Sequence, residues 1–390
     1  MLVHLSFVAL LIPMPGAPAE APSAQPAVVR VASALGPAAD RVIEKVLAER
    51  LPDVIVTVEG LAAPRLRERL RSAAEESPHV LLGAPVELLT PHDHRERLRA
   101  YEPPWAASLP PSCRDRLGYW HAPLLEPLVI GYSKAGLQGT FGARALPVDY
   151  SDLGDPCWEG EIALASPAPY TDGAFLFLAL LERSQRESGE LATAIAWLQG
   201  LDANLPPRAD GEPDYAVGSV GCVQRLLDRD RREILTVCRL GSLLEADPDG
   251  ELGWVCPPSG AVAWPRCVVL LAGAPDVACR VIDLVGEGSV LAELGRVMHA
   301  VPASRLSAAH ALVGLEWRFA VDGDKAALLH PTDYLALARS SSAWLGQFEA
   351  EVRGRVRRQF ATFDAAFEWV ALVVIAGAVA FAGLKAKCRL

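Results

Sequence analysis

No enzyme signature is present in this 390-residue chain: it contains no GxSxG, no GxxxxGK[ST], no HExxH, and no GxGxxG following a strand. Hydrolytic, nucleotide-binding and zinc-protease chemistries therefore have no motif to stand on. Cysteine pairs at CxxC spacing and His-rich runs are missing as well, so a zinc site is unsupported. No repeat recurs at a fixed period, which argues against a solenoid. Positive charge is scarce: 37 Lys and Arg face 47 Asp and Glu, a net −10. Residues 353–390 hold seven basic and two acidic residues, leaving 30 basic against 45 acidic, or −15, for residues 1–352. Nucleic acid is therefore excluded as a partner. Net acidity favours solubility and says little about a ligand.

With 51% apolar residues the chain has material for more than one core. Its apolar runs are short and alternate with helical patterns, the signature of βαβ units and a largely parallel sheet. The Pro147–Ala174 segment, PVDYSDLGDPCWEGEIALASPAPYTDGA, carries the densest local signals. Asp and Pro mark turns, Trp158 is an apolar anchor, and Ile162 to Ala165 is expected as a short buried strand. Thr171, Asp172 and Gly173 then precede FLFLALL, which predicts a helix start beside a strand end. Free N–H groups at such a start can hold a ligand.

Both ends carry targeting signals. Residues 2–12 are apolar but too short to span a bilayer, and Ala17-Pro18-Ala19 offers small residues for cleavage, so 1–19 is expected to be a signal peptide, although its start has no Lys or Arg. An Ala/Pro-rich linker, 20–26, follows. Trp369 to Leu384 is uncharged, with Phe363, Phe367 and Trp369 at one side and Lys385, Lys387 and Arg389 at the other. Residues 366–385 are accordingly expected as one transmembrane helix, leaving 386–390 in the cytoplasm and the body outside. Seven cysteines, Cys113, Cys157, Cys222, Cys238, Cys256, Cys267 and Cys279, would then meet an oxidising compartment. At least one bridge is plausible there, and burial as small apolar residues is an equal alternative. His92 and His94, and Asp228 and Asp230 in LDRDRRE, are best explained as solvated charged faces.

Pro147, Asp152-Leu153, Asp155-Pro156, Trp158, Gly160 and Gly173-Ala174 stand in the order of a stretch found in the extracellular solute-binding proteins of iron(III)-type ABC importers. Further landmarks extend the similarity from Val28 to Ser304. They are VVRVASA with the helix-like PAADRVIEKVLAERL and the strand DVIVTV, then SPHVLLGAPVELL, RLRAYEPP, LGYWHAPLLEPLVIGYSK and DVACRVIDLVGEGSVLAELGRVMHAVPAS. The chain thus resembles that family. The resemblance implies an α/β, two-lobed periplasmic-binding-protein type II fold with parallel-rich sheets. Lobe one would comprise 27–126 and 262–315, and lobe two 127–261. A helical stalk, 316–365, would precede the membrane span. It also implies a small-molecule solute and an ABC permease as partner; the expected signal peptide and span place the chain at the bacterial plasma membrane with the main body periplasmic, and with no enzyme motif neither catalysis nor a cofactor is expected.

Carried across position by position, the family's iron-binding tyrosines fall at Arg239 and Leu240, and its acidic or His ligands near Gly36 and Ala84. None of these suits ferric iron. A family Arg on the crossing strand corresponds to Glu126, and an anion-contacting Ser to Asp172. Together with Ser33, Tyr170, Thr171 and Ser219, these give the expected ligand-binding set, and Arg239 beside acidic groups suits a small zwitterion. More plainly, Asp172 caps its own helix and Glu126 pairs with a neighbouring Arg; both alternatives stand at this stage. A binding-fold ectodomain serving as a membrane sensor or scaffold, without transport, is the alternative function.

Overall fold

A computed structural model describes residues 26–71, 77–89, 95–140, 145–168 and 171–304, together with residues 337, 340, 343–347, 350 and 352. Its strands are β1 (Ala27–Ser33), β2 (Val54–Gly60), β3 (Val80–Ala84), β4 (Leu98–Arg99), β5 (His121–Ser133), β6 (Ile162–Leu164), β7 (Leu235–Arg239), β8 (Leu252–Val255), β9 (Ala263–Leu271) and β10 (Val301–Pro302). They form one twisted path, β2-β1-β3-β9-β5-β7-β6, with β4, β8 and β10 attached at its sides.

The fold is α/β and two-lobed as expected, but the sheet is mixed rather than parallel-rich. Among the named strands, parallel pairing is confined to β1 with β2 and β3, and to β6 with β7. Around β5 and β9 the ladders are antiparallel. The cause is topological: β5 leads the chain out of the first lobe and β9 brings it back, so the two run in opposite directions. A run of short apolar segments reveals strands but not which strand each will meet.

One proline sets the crossing point. Residues His121–Pro127 of β5 pair with β9, whereas Leu128–Tyr132 pair with β7. Pro127 has no N–H to offer a ladder, and the change of partner falls there. Tyr150 fastens the same point from below. Its hydroxyl donates to the Leu128 carbonyl at 2.7 Å and accepts from the Val262 N–H at 3.1 Å, and its side chain is buried. Burial holds the phenol proton well above the usual tyrosine range.

Apolar faces then fill both lobes. Helix Pro37–Arg50 buries Ala39, Ile43 and Leu47, spaced four apart, against helices Ala278–Val285 and Gly288–Met298 and the β1–β3 sheet. On the other side, helix Asp172–Ser188 is buried from Asp172 through Glu182 and packs with Trp158, Leu164 and Leu198. Leu337 and Val352, from the segment expected as a stalk, are buried in that same core. The signal-peptide residues 1–19 and the span 366–385 lie outside the described residues. Among the described residues no helix is long and apolar enough to cross a membrane.

The seven described cysteines are all free thiols, so the bridge allowed on sequence grounds is absent among them. Cys113, Cys222, Cys238 and Cys267 are instead buried core residues, and burial pushes their thiols above the ordinary range. The LDRDRRE run is only partly a solvated face. Arg231 reaches Asp214 at 3.2 Å and the buried Glu233 at 3.0 Å.

Candidate functional site

A cleft of about 480 Å³ opens where the lobes meet, beside the crossing strands. Its first wall is the start of helix Pro37–Arg50, with Gly36, Pro37, Ala38, Ala39 and Arg41, backed by Val297 and Met298. No side chain caps that helix start. Its second wall is helix Leu240–Ala246, which continues directly from β7 and contributes Gly241, Ser242 and Glu245. Gly241 is required there, because a Cβ would stand 2.4 Å from the Met298 carbonyl oxygen of the opposite wall.

The floor is a buried ion network on the crossing strands. Glu126 of β5 is 5% exposed and Arg266 of β9 is 3% exposed. Arg266 holds Glu126 Oε2 by two nitrogens, Nε at 2.7 Å and Nη2 at 2.5 Å. Arg239, at the end of β7, approaches the same carboxylate less closely, with Nη1 at 3.3 and 3.4 Å from its oxygens. The Arg239 Nε lies 3.6 Å from Asp172 Oδ2 and has no hydrogen-bond partner. Burial opposes charge on both guanidiniums. For Arg239 the carboxylates of Glu126 and Asp172 more than offset this and raise its pKa, while for Arg266 burial prevails and lowers it. The Arg266 guanidinium also lies 4.3 Å above the Trp264 ring, which stacks on Phe175.

Of the residues expected to bind ligand, Glu126 and Arg239 line this cleft. Ser33, Asp172 and Ser219 stand behind its walls. Ser33 is buried, accepts from the Leu35 N–H at 3.2 Å and hydrogen-bonds Asp40, shaping the loop into the first helix. Thr171, not Asp172, caps its helix: its hydroxyl accepts from the Ala174 N–H at 3.1 Å. Asp172 instead caps the neighbouring helix Gly218–Leu227, accepting from the Ser219 N–H at 2.7 Å. Ser219 Oγ in turn accepts from the Arg239 N–H at 2.9 Å, so Asp172, Ser219 and Arg239 form one continuous chain of contacts. Thr171 borders a separate depression of about 550 Å³ with Ser166, Tyr215 and Gly218. Tyr170, His92 and His94 lie outside the described residues.

The pairing of Glu126 with arginine thus follows the plainer of the two alternatives, whereas the helix cap falls to the residue before Asp172. Arg266 was not anticipated, although an arginine inside the apolar strand AWPRCVVLL is a visible irregularity. Arg41 and Glu245 were missed for the opposite reason: each stands in an ordinary amphipathic helix. Of the positions expected to correspond to the family's metal ligands, Gly36 and Ala84 have no donor side chain and Leu240 is fully buried.

Residues 86–311 match the family model described as bacterial extracellular solute-binding protein. Similar solved structures include apo ferric ion-binding protein A of Pasteurella haemolytica, with a TM-score of 0.63 and 17% identity over 84% of this chain and 98% of that one. Another is the periplasmic binding protein AfuA of Actinobacillus pleuropneumoniae with fructose-6-phosphate bound, at a TM-score of 0.66 and 15% identity over 84% and 99%. Iron-bound HitA of Pseudomonas aeruginosa gives 0.64 and 15% over 83% and 99%. No curated protein matches by sequence. Identities this low establish the fold and leave the cargo open.

Proposed function

This chain belongs to the family of bacterial extracellular solute-binding proteins, and on that footing we propose that it captures a small solute between its lobes and delivers it to an ABC permease. In this proposal residues 27–126 with 262–315, and 127–261, are the lobes that close on the solute. A single C-terminal span, 366–385, holds the periplasmic body at the plasma membrane. The observation that supports capture is the cleft itself. Its volume of about 480 Å³ suits a small molecule, and it is bounded by both lobes and floored by the strands that cross between them.

The solute we propose carries both charges. Glu126 is anchored by Arg266 at short range, whereas Arg239 holds it only at 3.3–3.4 Å. An anionic group entering the cleft can therefore take over Arg239 without stranding Glu126. Ferric iron is disfavoured, because Arg239 and Leu240 stand where phenolate ligands would be needed. A second function, sensing or scaffolding at the membrane without transport, draws support from the same network, whose arginines and carboxylates are already ion-paired with one another.

A thermal screen of the full chain in detergent tests capture, using amino acids, aminophosphonates, polyamines, oxyanions and ferric citrate. A solute at a hundred times its Kd stabilises the folded state by about 2.7 kcal/mol, a shift of a few degrees. Ferric citrate is expected to give neither colour nor shift, and Arg239→Gln to weaken any solute that binds. A screen without a single shift would remove the capture proposal and favour the sensor or scaffold.

A further inference from the structure

We infer that Arg41 and Glu245, facing the cleft from opposite lobes, select the solute: Arg41 receives its anionic group and Glu245 its cationic group. This rests on the cleft being the capture site and assigns the charges that discriminate within it.

Four ionisable side chains line the cleft: Arg41, Glu126, Arg239 and Glu245. Glu126 and Arg239 are each other's counter-ions, and Arg266 and Asp172 close the set behind them. That floor is neutral as a unit. Contact with Arg239 is open to any anionic group, so this neutral floor does little to separate a zwitterion from a singly charged acid. Arg41 and Glu245 differ in kind. Neither makes a salt bridge or a side-chain hydrogen bond among the described residues, and both are solvent-accessible on the cleft walls.

They are not a pair in waiting within this geometry either. The charges acting on Glu245 are those of Arg239 and Glu126, with no contribution from Arg41. The two stand on opposite walls of the cleft and form no ion pair with each other. Each also sits where its counterpart would be welcome. Arg41 follows the uncapped start of helix Pro37–Arg50, whose Ala38 and Ala39 N–H groups add positive character to that wall. Asp40, the acidic residue beside it, is half-buried and hydrogen-bonded to Ser33, and it feels the Arg41 charge without forming an ion pair with it. Burial on the opposite wall raises the proton affinity of Glu245. A cation docking there would relieve that cost. The lining also includes Val220, Val297 and Met298, apolar surface suited to a short carbon body.

The chemical class is therefore a small zwitterion with its charges at opposite ends, and matched probes test it. Kd values on the full chain are measured for 4-aminobutyrate, butyrate and butylamine, and for 3-aminopropylphosphonate and propylphosphonate. The zwitterions are expected to bind roughly tenfold or more tighter than either single-charge analogue, the discrimination typical of a charged hydrogen bond. Glu245→Gln should erase the advantage over the acids, and Arg41→Gln the advantage over the amine, each with an unchanged Tm of the free protein. If the advantage survives both substitutions, or disappears only in Glu126→Gln, the inference is overturned while capture in the cleft stands. If butyrate or butylamine binds as tightly as 4-aminobutyrate, and the two phosphonates bind equally, selection by opposite charges is likewise excluded. If no probe and no member of the wider screen binds, capture in the cleft fails along with it.

Discussion

Glu126 and Glu87 are both glutamates with 5% or less of their surface exposed, and Arg266 acts electrostatically on each, yet their surroundings could hardly differ more. Glu126 stands at the crossing point with two guanidiniums on its oxygens. Glu87 sits in the short helix Val86–Leu89 after β3, and neither of its oxygens has a side-chain hydrogen-bond partner among the described residues. Burial raises its pKa from 4.5 to about 7, with its own backbone N–H and the Arg266 charge opposing. Beneath the cleft, a buried carboxylate is met by counter-charge; in the core of the first lobe, burial makes the carboxyl hold its proton more tightly. Buried carboxylates of one residue type thus perform different work according to what the fold brings to them.

The largest expected effect breaks the compensated side. Glu126→Ala would leave Arg266, 3% exposed, without its closest counter-charge. Removing one partner of a buried pair costs about 3–5 kcal/mol, measurable by urea unfolding at pH 7. A loss under about 1 kcal/mol would mean that Arg266 is hydrated and the network is not buried in solution.

Glu87→Gln sharpens the uncompensated side. Because its folded pKa lies above the unfolded value, the carboxyl's favourable contribution is complete below pH 4.5 and is lost as pH rises through about 7. The Gln variant lacks that loss. Its stability relative to the native chain should climb by roughly 3 kcal/mol between pH 4.5 and pH 8. Parallel pH profiles for the two proteins would show that Glu87 ionises freely.

Tyr150→Phe addresses the same crossing point without touching its charges. It removes a donor to Leu128 and an acceptor for Val262, both buried backbone groups. The expected loss is about 1–3 kcal/mol, smaller than at Glu126. Slow amide exchange at Val262 should become faster, and unaltered exchange there would remove Tyr150 from the crossing.

Much of the fold was legible because it is written in local period. β1, helix Pro37–Arg50 and β2 fall where VVRVASA, PAADRVIEKVLAERL and DVIVTV place them, and Thr171 caps the helix that TDG announces. Glu126 and Arg239 stand on one cleft, as their shared place in the expected ligand set required. What was not legible depends on pairing across long sequence separations. The antiparallel contacts of β5 with β7, β8 and β9 join segments about a hundred residues or more apart, and no periodicity encodes them. The switch of Asp172 from its own helix to Ser219, and the arrival of Arg266 at Glu126, have the same origin. Cysteine spacing was misleading because Cys222 and Cys238 resemble a disulfide framework as a string and serve as core residues in space.

The central claim is that a solute is held by both walls of the cleft at once, and hydrogen exchange of the full chain tests it most directly. Amide exchange is compared with and without the tightest-binding member of the screen. Protection should increase together at residues 38–41 of the first wall and at 240–245 of the second, while the outer strand β2 stays unchanged. Protection on one wall alone, or only at sites away from the cleft, would contradict it.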